Sequence, residues 1–213
     1  MRIVRVTDAA ALRDLYEFRY RVYVAELGWL EPSSPAGQSG IPCVETEAFL
    51  DGALIDHFDA GALNYAAYDD EARVVGSIRV VPDSPDGLPV EECWSLDDYR
   101  DHKQLAEICR LAVVRERRGT RLSLQLMKAA WQGARRLGVS HVLVDAFIDH
   151  EQRTHDIYRK VGFRQIGEFS DTRYLLSEPA MVMVVECESG EESLPPHLRT
   201  FFRSHDPLIS HGA

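Results

Sequence analysis

The feature that most constrains this chain is an apolar segment that runs through a basic loop into a helix. A strongly apolar run predicts a strand over residues 105–114, and apolar side chains at three- to four-residue spacing predict a helix over 120–137 that Gly138 ends. The first backbone N–H groups of such a helix have no partner within it, and the helix dipole adds positive charge there. The junction therefore predicts a phosphate-binding site.

The charge distribution also indicates an anionic ligand at this junction. The chain as a whole carries a net charge of −10, which disfavours nucleic acid as a partner. Residues 110–136, here called the basic island, carry only Glu116 as an acidic residue. The cations of the basic island are Arg110, Arg115, Arg117, Arg118, Arg121, Lys128, Arg135 and Arg136. A local basic region in an acidic protein favours a local anionic ligand.

The remaining elements predict one α/β domain with a central mixed twisted sheet and helices on both faces. Alternating or apolar runs predict strands over residues 2–6, 63–68, 73–81, 141–147 and 181–186. Helices are predicted from Thr7 or Asp8 to about Glu26 and over 150–161, and residues 31–42 are predicted to be a loop. We place the domain at residues 1–190 and a tail at 191–213, which is helical over 196–203 and then frays.

Composition excludes several other classes of protein. The cysteines, Cys43, Cys93, Cys109 and Cys187, are scattered without a CxxC pair, so no metal site and no disulfide framework is predicted. No apolar stretch approaches the roughly 18 residues that a membrane helix needs, and no signal-peptide pattern opens the chain. We expect a cytoplasmic protein without integral membrane association.

Two motifs around the junction resemble the GNAT family of acyltransferases. The first is Leu111-Ala112-Val113 followed by Arg118-Gly119-Thr120-Arg121-Leu122-Ser123, which is similar to the acyl-CoA loop of that family, with Arg121 in place of its middle glycine. The second is Tyr158 ahead of Gly162-Phe163. The resemblance implies a GNAT-type domain whose loop binds a pantetheine thioester, and it makes Tyr158 the candidate that protonates the leaving thiolate. A phenol with a pKa near 10 suits a thiolate near 8.5.

A narrower resemblance comes from residues 17–110. Four pieces in order resemble the acyl-homoserine lactone synthases and the long-chain N-acyl amino acid synthases, and the resemblance covers about residues 10–170. Tyr23 stands where the former usually have phenylalanine, and Cys109 where they usually have serine. The characteristic positions are occupied here by Arg19, Tyr23, Trp29, Asp56, Asp59, Arg79, Glu107 and Arg110.

The chemistry of acyl transfer gives these residues candidate roles. An amine must be neutral to attack a thioester, so a carboxylate acting directly or through water is useful, with Glu107 as the first choice and Asp59 as the second. Backbone N–H groups over residues 111–113 are the candidates for stabilising the oxyanion. The three arginines and three carboxylates of the set either neutralise one another or order residues 28–60 over the acceptor.

The leading hypothesis is an enzyme that moves a long-chain acyl group from acyl carrier protein or acyl-CoA to the amine of an amino acid or similar small molecule. No tightly bound cofactor is expected, and the basic island would steer an acidic carrier protein. The alternatives are acyl-homoserine lactone synthesis from S-adenosylmethionine, acetyl transfer from acetyl-CoA to an amine, and an inactive module that binds acyl-thioesters. The sequence leaves the acyl chain length, the acceptor and the oligomeric state open.

Overall fold

A computed structural model describes residues 1–30, 51–97, 99–101, 103–148, 154–170, 179–188, 192 and 194–212. It contains one sheet of eight strands in the order β6-β7-β5-β4-β3-β2-β1-β8. The strands are β1 (Arg2–Val6), β2 (Leu63–Tyr68), β3 (Val74–Pro82), β4 (Leu105–Val113), β5 (His141–Phe147), β6 (Arg164–Ser170), β7 (Pro179–Glu186) and β8 (Ile209–Ser210). The helices are α1 (Ala9–Tyr20), α2 (Leu122–Arg136), α3 (Thr154–Lys160) and α4 (Pro196–Arg203).

The sheet is mixed, and it divides in the middle. β4 and β5 run parallel and pair only from Leu105 opposite His141 to Glu107 opposite Leu143. Beyond these residues β4 stays paired with β3, whereas β5 stays paired with β7. The two halves of the sheet therefore separate past Glu107 and Leu143, and we call this divergence the fork.

Helices cover both faces because the strands alternate their side chains. On β2, Leu63, Tyr65 and Ala67 pack in the core under α2, whereas Ala66 and Tyr68 pack in a second cluster under α1. A third apolar cluster, which includes Leu143, Val182 and Val184, extends the α1 side of the sheet beneath residues 88–96. The predicted α/β fold with helices on both faces is confirmed.

The ends of α1 follow from local chemistry. The Asp8 side chain accepts a hydrogen bond from the Ala11 N–H at 2.9 Å and so caps the first turn. The C-terminal part of the predicted helix, Arg21–Glu26, is a π-helical turn in which the Leu27 N–H bonds to the Val22 carbonyl at 3.0 Å. Gly28, at φ +62°, ends the segment as predicted.

Most predicted strands match within a residue or two, and two features of the sheet were missed. No strand was predicted for Arg164–Ser170, which forms the edge strand β6. The expectation that the chain frays after α4 is wrong, because Ile209 and Ser210 pair in parallel with β1. The predicted loop 31–42 and the first four residues of the helix predicted over 150–161 lie outside the described residues.

The C-terminal segment is held to α2 and β2 by packing and hydrogen bonds. Leu194, Phe202 and Ile209 are buried in the main core. His211 bridges the two elements, since Nδ1 lies 2.9 Å from the Tyr65 hydroxyl and Nε2 lies 3.1 Å from Gln132 Oε1. Across the described ranges, the helices are all too short or too polar to span a bilayer.

Gly133 makes the contact between α2 and β2 possible. A Cβ at this position would lie 2.5 Å from the Tyr65 hydroxyl oxygen and 3.2 Å from Tyr65 Cζ. We expect Gly133→Ala to destabilise the protein by about 1–3 kcal/mol, although alanine normally favours a helix interior. Urea denaturation measures the change. Tyr65→Phe removes the clashing oxygen, so Gly133→Ala should cost less in that background, and an equal cost in both backgrounds would contradict this packing.

His211 makes the stability depend on pH. Burial, together with Arg136 and Arg5, lowers the pKa of His211 to about 4, whereas an unfolded histidine titrates near 6.5. The stability contributed by the neutral imidazole is therefore full above pH 6.5 and is lost as the pH falls toward 4. The melting temperature of the wild type, relative to His211→Gln, should fall between pH 7 and pH 4.5. A constant difference across that range would contradict it.

Candidate functional site

A buried network of charged side chains joins α1, β3 and β4 on the face covered by α1. Arg19 on α1 pairs with Asp59 at 2.8 Å and donates to Asn64 Oδ1 at 2.5 Å. Arg79 on β3 lies 2.5 Å from Asp56 and 3.0 Å from Asp59. These side chains are almost fully buried, so removing one of the four charged ones would leave an uncompensated charge at a cost of about 3–5 kcal/mol.

The two aspartates also fix the backbone of the short 3-10 turn His57–Gly61. The Asp56 carboxylate accepts the Phe58 N–H at 3.1 Å, and the Asp59 carboxylate accepts the Asp56 N–H at 3.2 Å. This reciprocal arrangement is a capping box, and Asp59 belongs to it as well as to the ion network. The turn is therefore attached to the sheet through its own capping residues.

The arginines keep both carboxyl groups ionised. Burial alone would raise the pKa of Asp56, but Arg79 and Arg110 lower it well below its usual range. Asp59 also has a lowered pKa, since Arg19 and Arg79 outweigh its burial. The stability gained from these charges is present above the unfolded pKa near 4 and is lost only in stronger acid. Asp59 is thus a weak base held by two cations.

A bulge on β4 brings the network to the fork. Between the pairs Ser77–Ala112 and Arg79–Cys109 the register shifts, and Arg110 takes φ +54°. The Ser77 hydroxyl donates to the Arg110 carbonyl at 3.0 Å. The Arg110 guanidinium bonds to Asp56 at 2.9 Å and lies 5.7 Å from the centre of the Tyr23 ring.

A pocket of about 230 Å³ opens beside this bulge. Its walls come from both parts of the sequence that carry motifs. Tyr23 and Trp29 stand on one side. Arg118, Gly119 and Ser123 stand on another, and they belong to residues 118–123, here called the phosphate loop because a phosphate site is predicted there. The pocket is also lined by strand residues of β4, Leu111, Ala112 and Val113, and by Thr154 and Ile157 on α3. The strand residues predicted to supply the oxyanion donors therefore line this pocket.

The aromatic wall of this pocket is built from neighbouring rings. Tyr23 donates its hydroxyl to the Leu111 carbonyl at 3.3 Å, and burial raises the pKa of Tyr23 to about 12. Its ring lies 5.8 Å from Trp29, which in turn lies 5.6 Å from Phe147 on β5. The rings thus span the fork from the π-helical turn to β5.

The phosphate loop is ordered partly by its own side chains. Arg118 donates to the Val113 carbonyl at 3.1 Å and pairs with Glu26 at 2.6 Å, which links the loop to the π-helical turn. The Thr120 hydroxyl donates to the Arg117 carbonyl and accepts the Leu122 N–H. Gly119 has φ +73° and open space around its Cα, as a backbone approached by a ligand requires.

The predicted loop residues therefore separate into two groups. Arg118, Gly119 and Ser123 line the pocket, as do Leu111 and Val113. Thr120 caps the loop, Arg121 is exposed at the start of α2, and Leu122 is buried in the core beneath. The helix begins at Leu122 rather than at the predicted residue 120, because Thr120 and Arg121 form the cap.

Glu107 lies at the point where the fork opens. It is fully buried on β4, opposite Val81 on β3 and Leu143 on β5. Its Oε2 accepts the Val90 N–H at 2.8 Å, which orients the carboxyl group. Glu107 and Cys109 point to the same face because they are two residues apart on the strand.

Tyr158 on α3 and Cys109 on β4 are both poor acids in this setting. Burial strongly raises the pKa of Tyr158, and the charges of Asp145 and Glu107 raise it further. Burial also raises the pKa of the Cys109 thiol to about 11, while Arg79 donates to its sulfur at 3.3 Å. Tyr158 therefore keeps its proton at neutral pH, and Cys109 stays a thiol rather than a nucleophilic thiolate.

Four polar residues of this region were not predicted from the sequence. Asn64 and Ser77 support the network from β2 and β3, and Glu26 holds Arg118. Asp145 lies on β5 near Tyr158 and Tyr23, whose pKa values its charge raises. A single carboxylate inside the apolar run from His141 to Phe147 was the signal that could have identified it.

Comparisons with known proteins agree with this geometry. The family model described as "N-acyl amino acid synthase FeeM" matches residues 14–186. The structure of FeeM, from uncultured soil microbes, superposes with a TM-score of 0.67 at 17% identity, covering 93% of this chain and 96% of that one. A search of curated protein sequences gave no match.

Two further structures share the fold. The CoA-dependent acyl-homoserine lactone synthase BjaI, solved with SAM and isopentyl-CoA, has a TM-score of 0.63 at 18% identity, covering 100% of this chain and 94% of that one. A GNAT-family acetyltransferase from Staphylococcus aureus Mu50 has a TM-score of 0.53 at 12% identity, covering 87% and 98%. The GNAT-type fold is thereby confirmed.

The family model covers most of the chain, from within α1 to the end of β7. It includes the ion network, the fork, the phosphate loop and Tyr158. The chain therefore belongs to the N-acyl amino acid synthase FeeM family, and it is an N-acyltransferase.

Proposed function

We propose that this enzyme transfers a long-chain acyl group from acyl carrier protein to the amine of an amino acid or similar small molecule. The observation that carries the proposal is a pocket at the fork that residues of both motif regions line. Tyr23 and Trp29, which come from the motifs within residues 17–110, line one side of it. Arg118, Gly119 and Ser123 of the phosphate loop line another side. A pantetheine arm with its phosphate at the loop would place the thioester beside the aromatic wall and residues 111–113.

In the proposed reaction, the acceptor ammonium first loses a proton, and Glu107 receives it directly or through water. The neutral nitrogen attacks the thioester carbon, and a C–N bond forms while the carbonyl oxygen takes the negative charge. Backbone N–H groups of residues 111–113 stabilise that oxyanion. The C–S bond then breaks, and Tyr158 passes a proton to the leaving thiolate as it receives the second proton of the nitrogen, so that a buried phenolate with a raised pKa does not accumulate. The products are an amide, a free thiol and one net proton.

Asp59 receives a different role in this scheme. Its lowered pKa and its bonds to Arg19 and Arg79 suit a residue that orders the 3-10 turn rather than one that removes a proton. Asp56, Arg79 and Arg19 share that ordering role. Arg110 bonds to Asp56 and also contacts the ring of Tyr23, so it connects the ordered turn with the acceptor side of the pocket.

The donor assignment rests on charge. Arg115, Arg117 and Arg121 are exposed around the phosphate loop. Carrier proteins are acidic, so exposed arginines at the pantetheine entrance would speed their encounter with the enzyme. Acyl-CoA is the alternative donor, because its phosphates would meet the same cations. BjaI is described as CoA-dependent, so acyl-CoA is assayed as a donor alongside acyl carrier protein.

Glu107→Gln tests the reaction class. The amide keeps an oxygen that can accept the Val90 N–H, but it cannot take a proton. We expect the loss of a proton acceptor to lower product formation by roughly 100-fold or more. Mass spectrometry of lipid extracts from cells expressing the wild type should show N-acyl amino acids that are depleted with Glu107→Gln.

The exposed Glu168→Gln provides the control, since it makes the same chemical change on β6, and it should match the wild type. No N-acyl product with the wild type would overturn the proposed function. Acyl-homoserine lactone together with methylthioadenosine would favour the alternative of lactone synthesis.

Arg118→Glu tests the donor side of the pocket. This change reverses a charge at the phosphate loop and also breaks the pair with Glu26. We expect the KM for the acyl donor to rise by about tenfold or more, with a smaller change in the KM for the amine, because loss of a charge-assisted contact costs about 1.5–3 kcal/mol. Steady-state kinetics with each substrate varied measures both. Arg164→Glu on β6 is the matched control, and equal effects on donor and acceptor would contradict the assignment.

A further inference from the structure

We infer that Asp145 is the carboxylate that receives the ammonium group of the acceptor. This inference rests on the proposed function, and it concerns a residue of β5 that lies outside the motifs discussed above. Asp145 is the acidic residue of a strand that is otherwise largely apolar and mostly buried. It is itself only half-buried, so solvent and small molecules can reach it.

The register of the sheet places Asp145 just past the fork. The last residue of β5 that pairs with β4 is Leu143, opposite Glu107. Asp145 is two residues further on, so it points to the same face as Leu143. Its antiparallel partner on β7 is Val182, which packs in the same apolar cluster as Leu143. Asp145 therefore lies on the face of the sheet where Glu107 and Cys109 also point, at the position where β4 no longer covers β5.

The ring contacts connect this position with the pocket. Phe147 is the next residue of β5 on that face, and its ring lies 5.6 Å from Trp29 of the pocket wall. Trp29 contacts Tyr23, which bonds to the Leu111 carbonyl on β4. Along β5, Asp145 thus lies between Leu143, which pairs with Glu107, and Phe147, which contacts Trp29. Its charge acts on the hydroxyl groups of Tyr23 and Tyr158, whose pKa values it raises.

The chemistry of the surrounding groups favours a cation at Asp145. Asp56 and Asp59 are buried, whereas the half-buried Asp145 is within reach of a small molecule. Tyr23 and Tyr158 remain protonated, so they are neutral neighbours for a carboxylate. An ammonium ion beside aromatic faces and a carboxylate gains from both cation–π and charge-assisted contacts. Bound there, the acceptor nitrogen would wait between Glu107 and the thioester.

The test compares two ligands, one with the amine and one without it. The first is the amino acid that the wild type acylates fastest among the twenty protein amino acids, and the second is the same molecule with hydrogen in place of the amine. Binding of each to the enzyme without donor is measured by calorimetry or saturation-transfer NMR. Wild type and Asp145→Asn are compared, and Asp97→Asn, in an exposed loop, controls for the loss of one negative charge.

We expect Asp145→Asn to weaken binding of the amino acid at least tenfold and to leave binding of the des-amino analogue unchanged within twofold. In kinetics, the KM for the amino acid should rise while the KM for the acyl donor stays the same. A structural role would instead weaken both ligands together. If Asp145→Asn prefers the amino acid over its des-amino analogue by the same affinity ratio as the wild type, the inference is overturned.

The two proposals can fail separately. If the wild type acylates none of the amino acids, the proposed function fails, and binding is then measured with the whole panel of amino acids and their des-amino analogues. Asp145 is supported if the wild type binds an amino acid and Asp145→Asn loses that preference for the amine. If the wild type binds none of them, or binds without preference for the amine, the inference about Asp145 is overturned as well.

Discussion

The burial of guanidinium groups against the sheet is the constraint on which this architecture depends. Arg19 and Arg79 are almost fully buried and are neutralised by Asp56 and Asp59. Since buried ion pairs often add little net stability, such a cluster is an inefficient way to hold a helix to a sheet. Its geometry offers a better reason. The same carboxylates cap the 3-10 turn, and Asp56 also holds Arg110 on the β4 bulge, so one set of bonds positions the turn, α1 and the bulge together.

The fork gives this positioning a chemical use. Where β4 and β5 separate, the sheet exposes strand backbone and side chains that elsewhere would be covered by a neighbouring strand. The phosphate loop enters from one half of the sheet, and Asp145 and Phe147 come from the other half. Glu107 occupies the last paired position between them. The reaction would thus take place where the fold is least closed, with reacting groups held by rigid strands on both sides.

Features of the fold and site that depend on neighbouring residues could be predicted from the sequence, whereas those that depend on residues far apart in the chain could not. The phosphate loop, the boundaries of β1, β2 and β5 and the helix at Pro196–Arg203 follow from local pattern and were predictable. The motif residues Arg19, Asp56, Asp59, Arg79 and Arg110 were identified as a set, but their pairing was not, because it joins positions 20–54 residues apart. β8 was missed for the same reason, whereas β6 was missed for a local one. β8 is two residues long and depends on β1 at the other end of the chain, and the partly exposed β6 lacks a strong apolar run.

The most direct test of the central claim follows both substrates into one product. Purified enzyme is given an acyl carrier protein loaded with a ¹³C-labelled long-chain acyl group and a mixture of ¹⁵N-labelled amino acids, and the products are analysed by mass spectrometry with thiol release measured in parallel. We expect an N-acyl amino acid that carries both labels, formed in equal amount to the released thiol. Thiol release without a doubly labelled amide, or no release at all with either carrier-protein or CoA donors, would contradict it.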